Sequence, residues 1–305
     1  MKRINMFSRS SWLHLRIHFS FFLLPIFLFS LVVSPNFNSP RIFWVFFILH
    51  FLVYPASNGY NSYFDKDEKS IGGLKNPPPV KKGLYYLSLI LDGIAIILAY
   101  IKINTTFSIM VLVYGLVSKA YSHPSIRIKK HAWSSWIITG IFQGLFTFMM
   151  CYVGVNDFPL TAAFKQEVMV PALLTSLMLW ANYPLTQVYQ HEEDLKRGDV
   201  TLSSQLGIVG TFYFAASLFT LAIGGLLFYF KFAFAENYAW VFLSSLLPLL
   251  VYFFYWFFLI MKSSRNADYV HTMRLNLISG ICLNGFFIYL FLKVTQADQA
   301  LLSLR

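Results

Sequence analysis

The chain is dominated by apolar segments long enough to cross a lipid bilayer, for which a helix needs about 20 residues. Hydropathy places nine such segments, at residues 19–35, 43–60, 84–101, 107–121, 133–153, 167–190, 208–230, 237–261 and 275–294. Only 12% of the 305 residues are charged, which is about half the fraction found in a soluble domain. The sequence therefore predicts an all-α polytopic membrane protein, with nine transmembrane helices in a single domain over residues 1–305.

The basic residues indicate how these helices are oriented. Most of the 24 Lys and Arg fall before the first apolar segment or in loops after even-numbered segments, as expected of cytoplasmic loops. We therefore expect a cytoplasmic N-terminus and a multi-pass location in the inner (plasma) membrane. The net charge of +11 does not predict nucleic-acid binding, because the basic residues are not gathered on one soluble face. No small-residue cleavage pattern follows the first apolar segment, so we expect it to be a retained helix.

Two acidic stretches lie on the side expected to be cytoplasmic, each at the end of an apolar segment. The first has amides and carboxylates at helical spacing, namely Asn58, Asn61, Asp65 and Glu68. A helix that continues out of the membrane places all four on one face and points Asp67 away from it. These hard oxygen ligands suit Mg²⁺. The alternative is a solvated acidic loop, but amides at the membrane boundary are costly without a polar partner.

The second acidic stretch repeats this arrangement. The residues that share a helical face are Tyr183, Gln187, Gln190, His191 and Asp194. Pro184 interrupts the apolar segment and indicates a kink near its cytoplasmic end. Alone, this stretch could be a charged helix end. Paired with the first stretch, it predicts the opposite wall of one metal and diphosphate site, where a hydrogen-bonding role is favoured for His191 over a ligand or base.

A short basic loop fits between the two walls. Its basic side chains are those of Arg127, Lys129 and Lys130. Such groups suit phosphate oxygens, and an arginine can contact them through two nitrogen atoms at once. For the two lysines, anchoring at the cytoplasmic face is an equally good interpretation. Asp92 and Lys119 are charged residues inside apolar segments, where they are candidates for function or for a local bond between helices.

Together these elements resemble the UbiA superfamily of intramembrane aromatic prenyltransferases. Residues 61–68 (NSYFDKDE) are similar to its first Asp-rich motif, and residues 75–78 (KNPP) to the Asn-Arg-Pro segment that often follows. Residues 121–129 (YSHPSIRIK) are similar to its Tyr-Ser-x-Pro-Pro-x-Arg-x-Lys loop. Residues 190–202 (QHEEDLKRGDVTL) look like its second Asp-rich motif.

The resemblance implies nine helices around a central cavity and Mg²⁺-dependent transfer of a polyprenyl group from its diphosphate to an aromatic or other lipophilic acceptor. With the helical faces, it gives the expected site. The expected metal ligands are Asn61, Asp65, Glu68, Gln190 and Asp194. The expected substrate-binding residues are Asn58, Asn61, Glu68, Lys119, Arg127, Lys129, Lys130, Gln187, Gln190 and His191. The expected catalytic side chains are those of Asp65, Asp194, Arg127 and Tyr121.

The chain departs from the family pattern at three positions. Ser62 stands where an Asp is common, Lys69 stands where the last acid of the first motif falls, and Gln190 replaces the first Asp of the second motif. An amide binds metal more weakly than a carboxylate, so these changes bear on the number of metal ions.

Two alternatives stay open. A non-catalytic or transport membrane protein could bind an ion or a lipid headgroup at the same polar site, although a transporter should place polar groups near the membrane midplane. A CDP-alcohol phosphotransferase should have four Asp on one loop, of which Asp92 and Gly93 are the only trace. The expected partners are a prenyl diphosphate, a lipophilic acceptor and membrane lipid, with no nucleic acid and no protein partner.

Overall fold

A computed structural model describes residues 5–296, and this part of the chain is helical with no β-strand. In chain order its α-helices are α1 (Arg9–Leu15), α2 (Leu24–Val32), α3 (Ser39–Asp65), α4 (Gly83–Lys102), α5 (Thr105–Ser122), α6 (Ala132–Asn156), α7 (Gln166–Gln187), α8 (His191–Lys196), α9 (Leu202–Ala233), α10 (Glu236–Lys262) and α11 (Tyr269–Val294). The α3 and α6 helices each contain a π-helical turn, at Ile48–Val53 and Ile141–Phe146, and α7 ends in a 3₁₀ turn. The prediction of an all-α fold is confirmed.

Each predicted membrane span has a helical counterpart in the described residues. Seven helices are long and apolar enough to cross a membrane, or eight if the pair Arg9–Phe22 and Leu24–Val32, bent by 40°, forms one span. The α5 helix, which corresponds to the predicted span at 107–121, is not among them. The number nine and the cytoplasmic N-terminus therefore stay predictions. Three of the basic residues used to orient the chain, Lys2, Arg3 and Arg305, lie outside the described residues.

Large apolar side chains cover the outer surfaces of the two long helices α9 and α10. Phe228, Phe232, Val251 and Phe254 are each at least 60% exposed. A soluble protein rarely exposes so large an apolar surface, whereas a bilayer solvates it. The chain is thus a multi-pass membrane protein.

Polar side chains and small residues fix where the helices begin and how closely they pack. Asn104 Oδ1 accepts a hydrogen bond from the backbone N–H of Phe107 at 2.8 Å and so caps α5. A Cβ built on Gly144 of α6 would lie 2.5 Å from Ser176 Oγ of α7. That hydroxyl donates to the carbonyl of Gly140 at 2.8 Å. These close contacts hold α6 and α7 together as one wall of the molecule.

An aromatic cluster joins α2, near the start of the chain, to the last helix, α11. Phe29 of α2 stacks on Phe287 of α11 with ring centroids 4.6 Å apart. Phe230 of α9 lies 5.0 Å from both Phe242 of α10 and Phe286 of α11. Aromatic rings bury large apolar areas and favour edge-to-face and offset contacts. The chain is therefore closed into a bundle by contacts between its two ends.

Three helix ends meet on one face of the bundle. They are the C-terminal ends of α3 and α5 and the segment that joins α7 to α8. The α1 helix lies beside them and binds the loop that follows α3. Ser10 Oγ donates to the carbonyl of Pro79, and a ring nitrogen of His14 bonds the carbonyl of Pro78, both at 2.7 Å. This packing brings residues that are distant in sequence around one space.

Candidate active site

A cavity with two connected chambers lies where these helix ends meet. The first has a volume of about 260 Å³ and is lined by charged residues that include Asp65, Asp194 and Arg197. The second has a volume of about 180 Å³, and none of the described residues that line it is Asp, Glu, Lys, Arg or His. We call them the charged chamber and the neutral chamber. Both are lined by Phe19, Ser57, Asn58, Tyr114, Gln143, Tyr183 and Thr186.

The structure brings together most, but not all, of the residues that the sequence predicts for the site. Those that line the charged chamber are Asn58, Asn61, Asp65, Tyr121, Lys129, Gln187, Gln190 and Asp194. Those that lie outside its lining are Glu68, Lys119, Arg127, Lys130 and His191. The two predicted walls therefore do face each other across one space.

The first wall is the last turn of α3. Lys129 Nζ forms an ion pair with Asp65 Oδ1 and lies 3.4 Å from Asn61 Oδ1. The same amide oxygen accepts a hydrogen bond from Ser122 Oγ at 2.7 Å. Asp65 is deeply buried, and a buried carboxylate is costly unless a cation partners it. Lys129 thus holds the Asp65 carboxylate at the cavity and ties the basic loop to α3.

The end of α3 corrects two predictions. Lys66 adopts a left-handed conformation, with φ 52°, and ends the helix at Asp65. The chain then turns back, so Asp67 lies at the charged chamber instead of pointing away. Glu68 is exposed and leaves the face that it was predicted to share with Asp65. The helical spacing predicted from the sequence therefore holds up to Asp65 and not beyond it.

The second wall begins in the 3₁₀ turn Tyr183–Gln187 and continues into the short helix α8. Pro184 lies at the start of that turn, where the sequence predicts a kink. Gln187 and Asp194 are buried, and both line the chamber. His191 does not share their face, because the helix breaks between Gln187 and His191. Its ring nitrogen instead bonds Ser203 Oγ at 2.8 Å.

The basic loop contributes differently from the prediction. Arg127, with φ 46°, binds Asp199 through two nitrogen atoms at 2.7 and 2.8 Å, and it lies 3.6 Å from Asp65. Its guanidinium therefore joins the two walls from outside the chamber lining. The side chain of Lys130 is exposed. Lys119 pairs with Asp92 between α4 and α5, away from the chamber.

Four residues of the site were not predicted from the sequence, namely Arg16, Asp67, Arg197 and Asp199. The Arg197 guanidinium forms ion pairs with Asp67 and, at 2.6 Å, with Asp194. Its Nε lies 3.5 Å from Asp199 Oδ2. A signal for Asp199 was present in the sequence, since Gly198 allows a tight reversal. Nothing local marks Arg16 or Arg197 apart from other basic residues.

Arg16 differs from the other cations that line the charged chamber. The residue is only 8% exposed, and among residues 5–296 no carboxylate lies within ion-pair distance of it. It donates instead to two backbone carbonyls, that of Gly72 at 3.1 Å and that of Asn58 at 3.4 Å. Its Nε is buried without a hydrogen-bond partner in the described part of the chain. An unneutralised guanidinium at a cavity attracts an anion.

Burial and neighbouring charges shift the pKa values of this cluster. Burial raises the pKa of Asp194 to about 6, although Arg197 opposes the shift. Burial and the adjacent charge of Asp65 raise the pKa of Asp67. Burial disfavours the charged form of Arg197, but the carboxylates of Asp67, Asp65 and Asp194 together raise its pKa. Shifts of this kind concentrate at functional sites.

Both walls offer oxygen atoms that suit a divalent cation. Asp65 and Asp194 supply carboxylates, and Asn61 supplies an amide oxygen. Gln187 Oε1 is buried with no hydrogen-bond partner among the described residues. Within residues 5–296, no three His, Cys, Asp or Glu side chains form a preformed metal cage. Because Mg²⁺ is usually held by one or two carboxylates and substrate phosphates, these donors fit an ion that binds together with an anionic substrate.

The fold and the cavity define a membrane protein in which a chamber lined by charged residues adjoins a chamber whose described lining carries no formal charge. The sequence matches the UbiA prenyltransferase family over residues 22–278. The chain therefore belongs to this family and is a prenyltransferase. No curated protein sequence matches it significantly.

Solved structures share the fold. One, from work on the biosynthesis of digeranylgeranylglyceryl phosphate synthase in membranes, is 20% identical, covers 93% of this chain and 98% of its own, and has a TM-score of 0.60. A UbiA homologue from Archaeoglobus fulgidus bound to GPP and Mg²⁺ is 16% identical, covers 92% and 99%, and has a TM-score of 0.62. The same homologue bound to DMAPP and Mg²⁺ gives the same values. At these identities the likeness shows the fold.

Proposed function

We propose that this protein transfers a prenyl group from a prenyl diphosphate to an aromatic or other lipophilic acceptor, with Mg²⁺ and with release of diphosphate. The observation that carries this proposal is the pairing of the two chambers. The charged chamber has cations and carboxylates on facing walls, and the adjoining neutral chamber has none in the described residues. An amphiphile with an anionic head and an uncharged tail fits such a pair.

The diphosphate is placed in the charged chamber. Arg16 is the cation best placed to bind an anion there, because no carboxylate among the described residues neutralises its charge. Lys129 and Arg197 face the same space from the basic loop and the second wall. Charge-assisted bonds from these groups to phosphate oxygens stabilise the negative charge that grows on the leaving diphosphate.

The metal ligands proposed are Asn61, Asp65 and Asp194, with Gln187 and Gln190 as further oxygen donors at the second wall. Glu68 is left out because it is exposed. A bound Mg²⁺ supplies Lewis-acid stabilisation of the leaving diphosphate. The residues themselves orient the phosphate head between the walls, so that the allylic carbon points towards the neutral chamber.

The neutral chamber provides the surroundings for the allylic carbon and the acceptor. Tyr54, Tyr114 and Tyr183 line it, together with Phe19 and Phe22. Aromatic faces stabilise a cation-like carbon, and an apolar surround protects it from water. Asn182 donates to Asn276 Oδ1 at 3.3 Å in this chamber. These amides offer hydrogen bonds to a polar atom of the acceptor.

The site is placed at the cytoplasmic face of the inner membrane, and the whole of residues 1–305 is taken as one catalytic domain. The positive-inside distribution of Lys and Arg supports that side. The contacts of α11 with α2 support a single unit, because they join the two ends of the chain.

Release of diphosphate from geranyl diphosphate and longer allylic diphosphates, by purified protein supplied with a pooled lipid extract, tests this function. We expect release that needs Mg²⁺ and the extract, and mass spectrometry then identifies the acceptor. Binding of the prenyl diphosphate without release, for every donor length, would instead support the non-catalytic alternative. Release that survives in both Asp65→Asn and Asp194→Asn would place the site elsewhere.

A further inference from the structure

The second wall has an internal cation that the family resemblance does not account for. The guanidinium of Arg197 lies between three aspartates, Asp67, Asp194 and Asp199, which come from two separate segments of the chain. Its Nη1 pairs with Asp67 Oδ1 and its Nη2 donates to Asp194 Oδ1 at 2.6 Å. The three carboxylates are all strongly buried. The guanidinium is thus enclosed by carboxylates that form ion pairs with it.

The local backbone builds this enclosure. The N–H of Arg197, just after α8, bonds the carbonyl of Asp194 at 3.1 Å. Gly198 has a φ of 72°, a conformation that favours glycine, and it reverses the chain. The N–H of Asp199 consequently also bonds the carbonyl of Asp194, at 2.9 Å. The turn at residues 194–199 thus places the carboxylates of Asp194 and Asp199 beside the guanidinium of Arg197.

In this arrangement, the carboxylates that a divalent ion would use are already paired with cationic side chains of the protein. Asp67 and Asp194 are bound to Arg197, while Asp65 is bound to Lys129. Leaving such carboxylates buried without a cation is costly. A divalent ion therefore has to compete with cations that are already part of the protein. Arg197 would also repel such an ion at the second wall.

We propose that Arg197 is a built-in counter-ion that keeps divalent metal off the second wall until diphosphate arrives; this rests on the proposed function. Diphosphate oxygens offer the guanidinium a bidentate partner that matches its geometry. Arg197 then exchanges carboxylate oxygens for phosphate oxygens, which frees Asp67 and Asp194 as oxygen donors. Metal binds the second wall weakly alone and strongly with the diphosphate. No covalent step is involved.

Binding of Mn²⁺ alone tests this directly, with purified full-length protein and electron paramagnetic resonance of the free ion. We expect weak binding by the wild type. Arg197→Gln should bind Mn²⁺ about tenfold more tightly or better, because it removes a positive charge a few ångströms from the ion. Arg197→Lys should fall between the two, since a single ammonium cannot span three carboxylates. The matched control is Lys69→Gln, which removes a cation from an exposed pair with Glu192 on the same face.

Thermal unfolding gives a second readout. Without metal, Arg197→Gln should unfold at a lower temperature than wild type, because the buried carboxylates of Asp67 and Asp194 lose their cationic partner, while Asp199 keeps Arg127. Added Mn²⁺ should restore its Tm while leaving the wild type and Lys69→Gln unchanged. A purely structural arginine would give a low Tm that metal does not restore.

The opposite results are clear. Tight Mn²⁺ binding by the wild type, or unchanged or weaker binding by both Arg197 variants, would overturn the proposal. If Arg197→Gln does not fold, Arg197→Lys decides by the same measurement. None of these readouts uses a prenyl donor, so their failure is distinguishable from failure of the proposed transferase activity.

Discussion

The charged and neutral chambers are neighbours that share seven lining residues, yet their chemistry is opposite. Asp65, Asp67, Asp194, Arg197 and Lys129 line the first. The described lining of the second has amides, hydroxyls and rings, with no residue of formal charge. The sequence explains this division, because the charged residues follow the ends of apolar helices while the amides lie within them. Charge at a membrane face is tolerable, and deeper in the bilayer it is expensive.

Under the proposed function, the two halves of the substrate occupy different chambers. The charged chamber can stabilise a diphosphate head, and the neutral chamber can surround an apolar chain and a reacting carbon with aromatic rings and uncharged polar groups. Variants in one chamber should therefore have effects that variants in the other do not reproduce.

The largest effect is expected from the two carboxylates that face each other. Asp65→Asn and Asp194→Asn should each lower kcat by about 100-fold or more, since each removes charge that positions the ion and the leaving group. Diphosphate release under saturating donor measures this. Glu192→Gln is the control, because Glu192 is an exposed acid on α8. Equal losses in the control would mean that the effect is not specific to the chamber.

The next effect concerns Arg16. Arg16→Gln should raise the Kd for inorganic diphosphate by about tenfold to a hundredfold, because a hydrogen bond to a charged group contributes about 1.5–3 kcal/mol. Calorimetry in detergent with Mg²⁺ measures it. Arg9→Gln, which removes an exposed arginine at the start of α1, the helix that ends just before Arg16, should bind as the wild type does. A lower Tm with unchanged diphosphate binding would make Arg16 a structural residue only.

A smaller effect is expected in the neutral chamber. Asn276→Leu removes the oxygen that accepts from Asn182. It should change the KM for the acceptor or for donors of different length by about fivefold, the scale of one buried hydrogen bond. Binding of inorganic diphosphate should not change. A loss of diphosphate affinity as large as that of Arg16→Gln would erase the distinction between the chambers.

The pH dependence of stability tests the buried carboxyl group of Asp194, which lies in the charged chamber. Burial raises the pKa of Asp194 from 3.8 to about 6, so between these values the folded chain binds more protons here than the unfolded chain. This group therefore makes the metal-free protein more stable as the pH falls from about 6 to 4. The Tm of the wild type minus that of Asp194→Asn should therefore increase as the pH is lowered from about 6 to 4. A constant difference would contradict the shift.

The smallest effects are expected at two residues that the sequence assigns to the site and the structure leaves outside the chamber lining. Glu68→Gln and Lys130→Gln change exposed side chains. Each should keep kcat and KM within about twofold of wild type, because exposed charges contribute little. A tenfold loss of kcat/KM in either variant would mean that the site includes the exposed loops.

Periodicity and hydropathy were enough to predict the helices and both walls, because apolar runs and helical spacing are local properties. They failed where the chain reverses. Lys66 has a left-handed backbone conformation, which the presence of a lysine does not predict. The sequence therefore did not indicate the chain reversal that brings Asp67 to the charged chamber and keeps Glu68 out of it. At Gly198 the glycine was a usable signal, and Asp199 could have been found from it.

Contacts between distant segments were the other gap. Arg16 reaches the site by binding the carbonyl of Gly72, and Arg197 by binding Asp67. Each contact depends on how α1 and α8 pack against the loop after α3. A single sequence contains no local pattern for such a contact.

The measurement that tests the central claim most directly is a structure of this protein with Mg²⁺ and geranyl S-thiolodiphosphate, a donor that does not react. We predict the diphosphate in the charged chamber, between Asp65 and Asp194 and beside Arg16, with the geranyl chain in the neutral chamber. A diphosphate bound outside these walls, or a chain that leaves the neutral chamber empty, would contradict the division of the substrate between the two chambers.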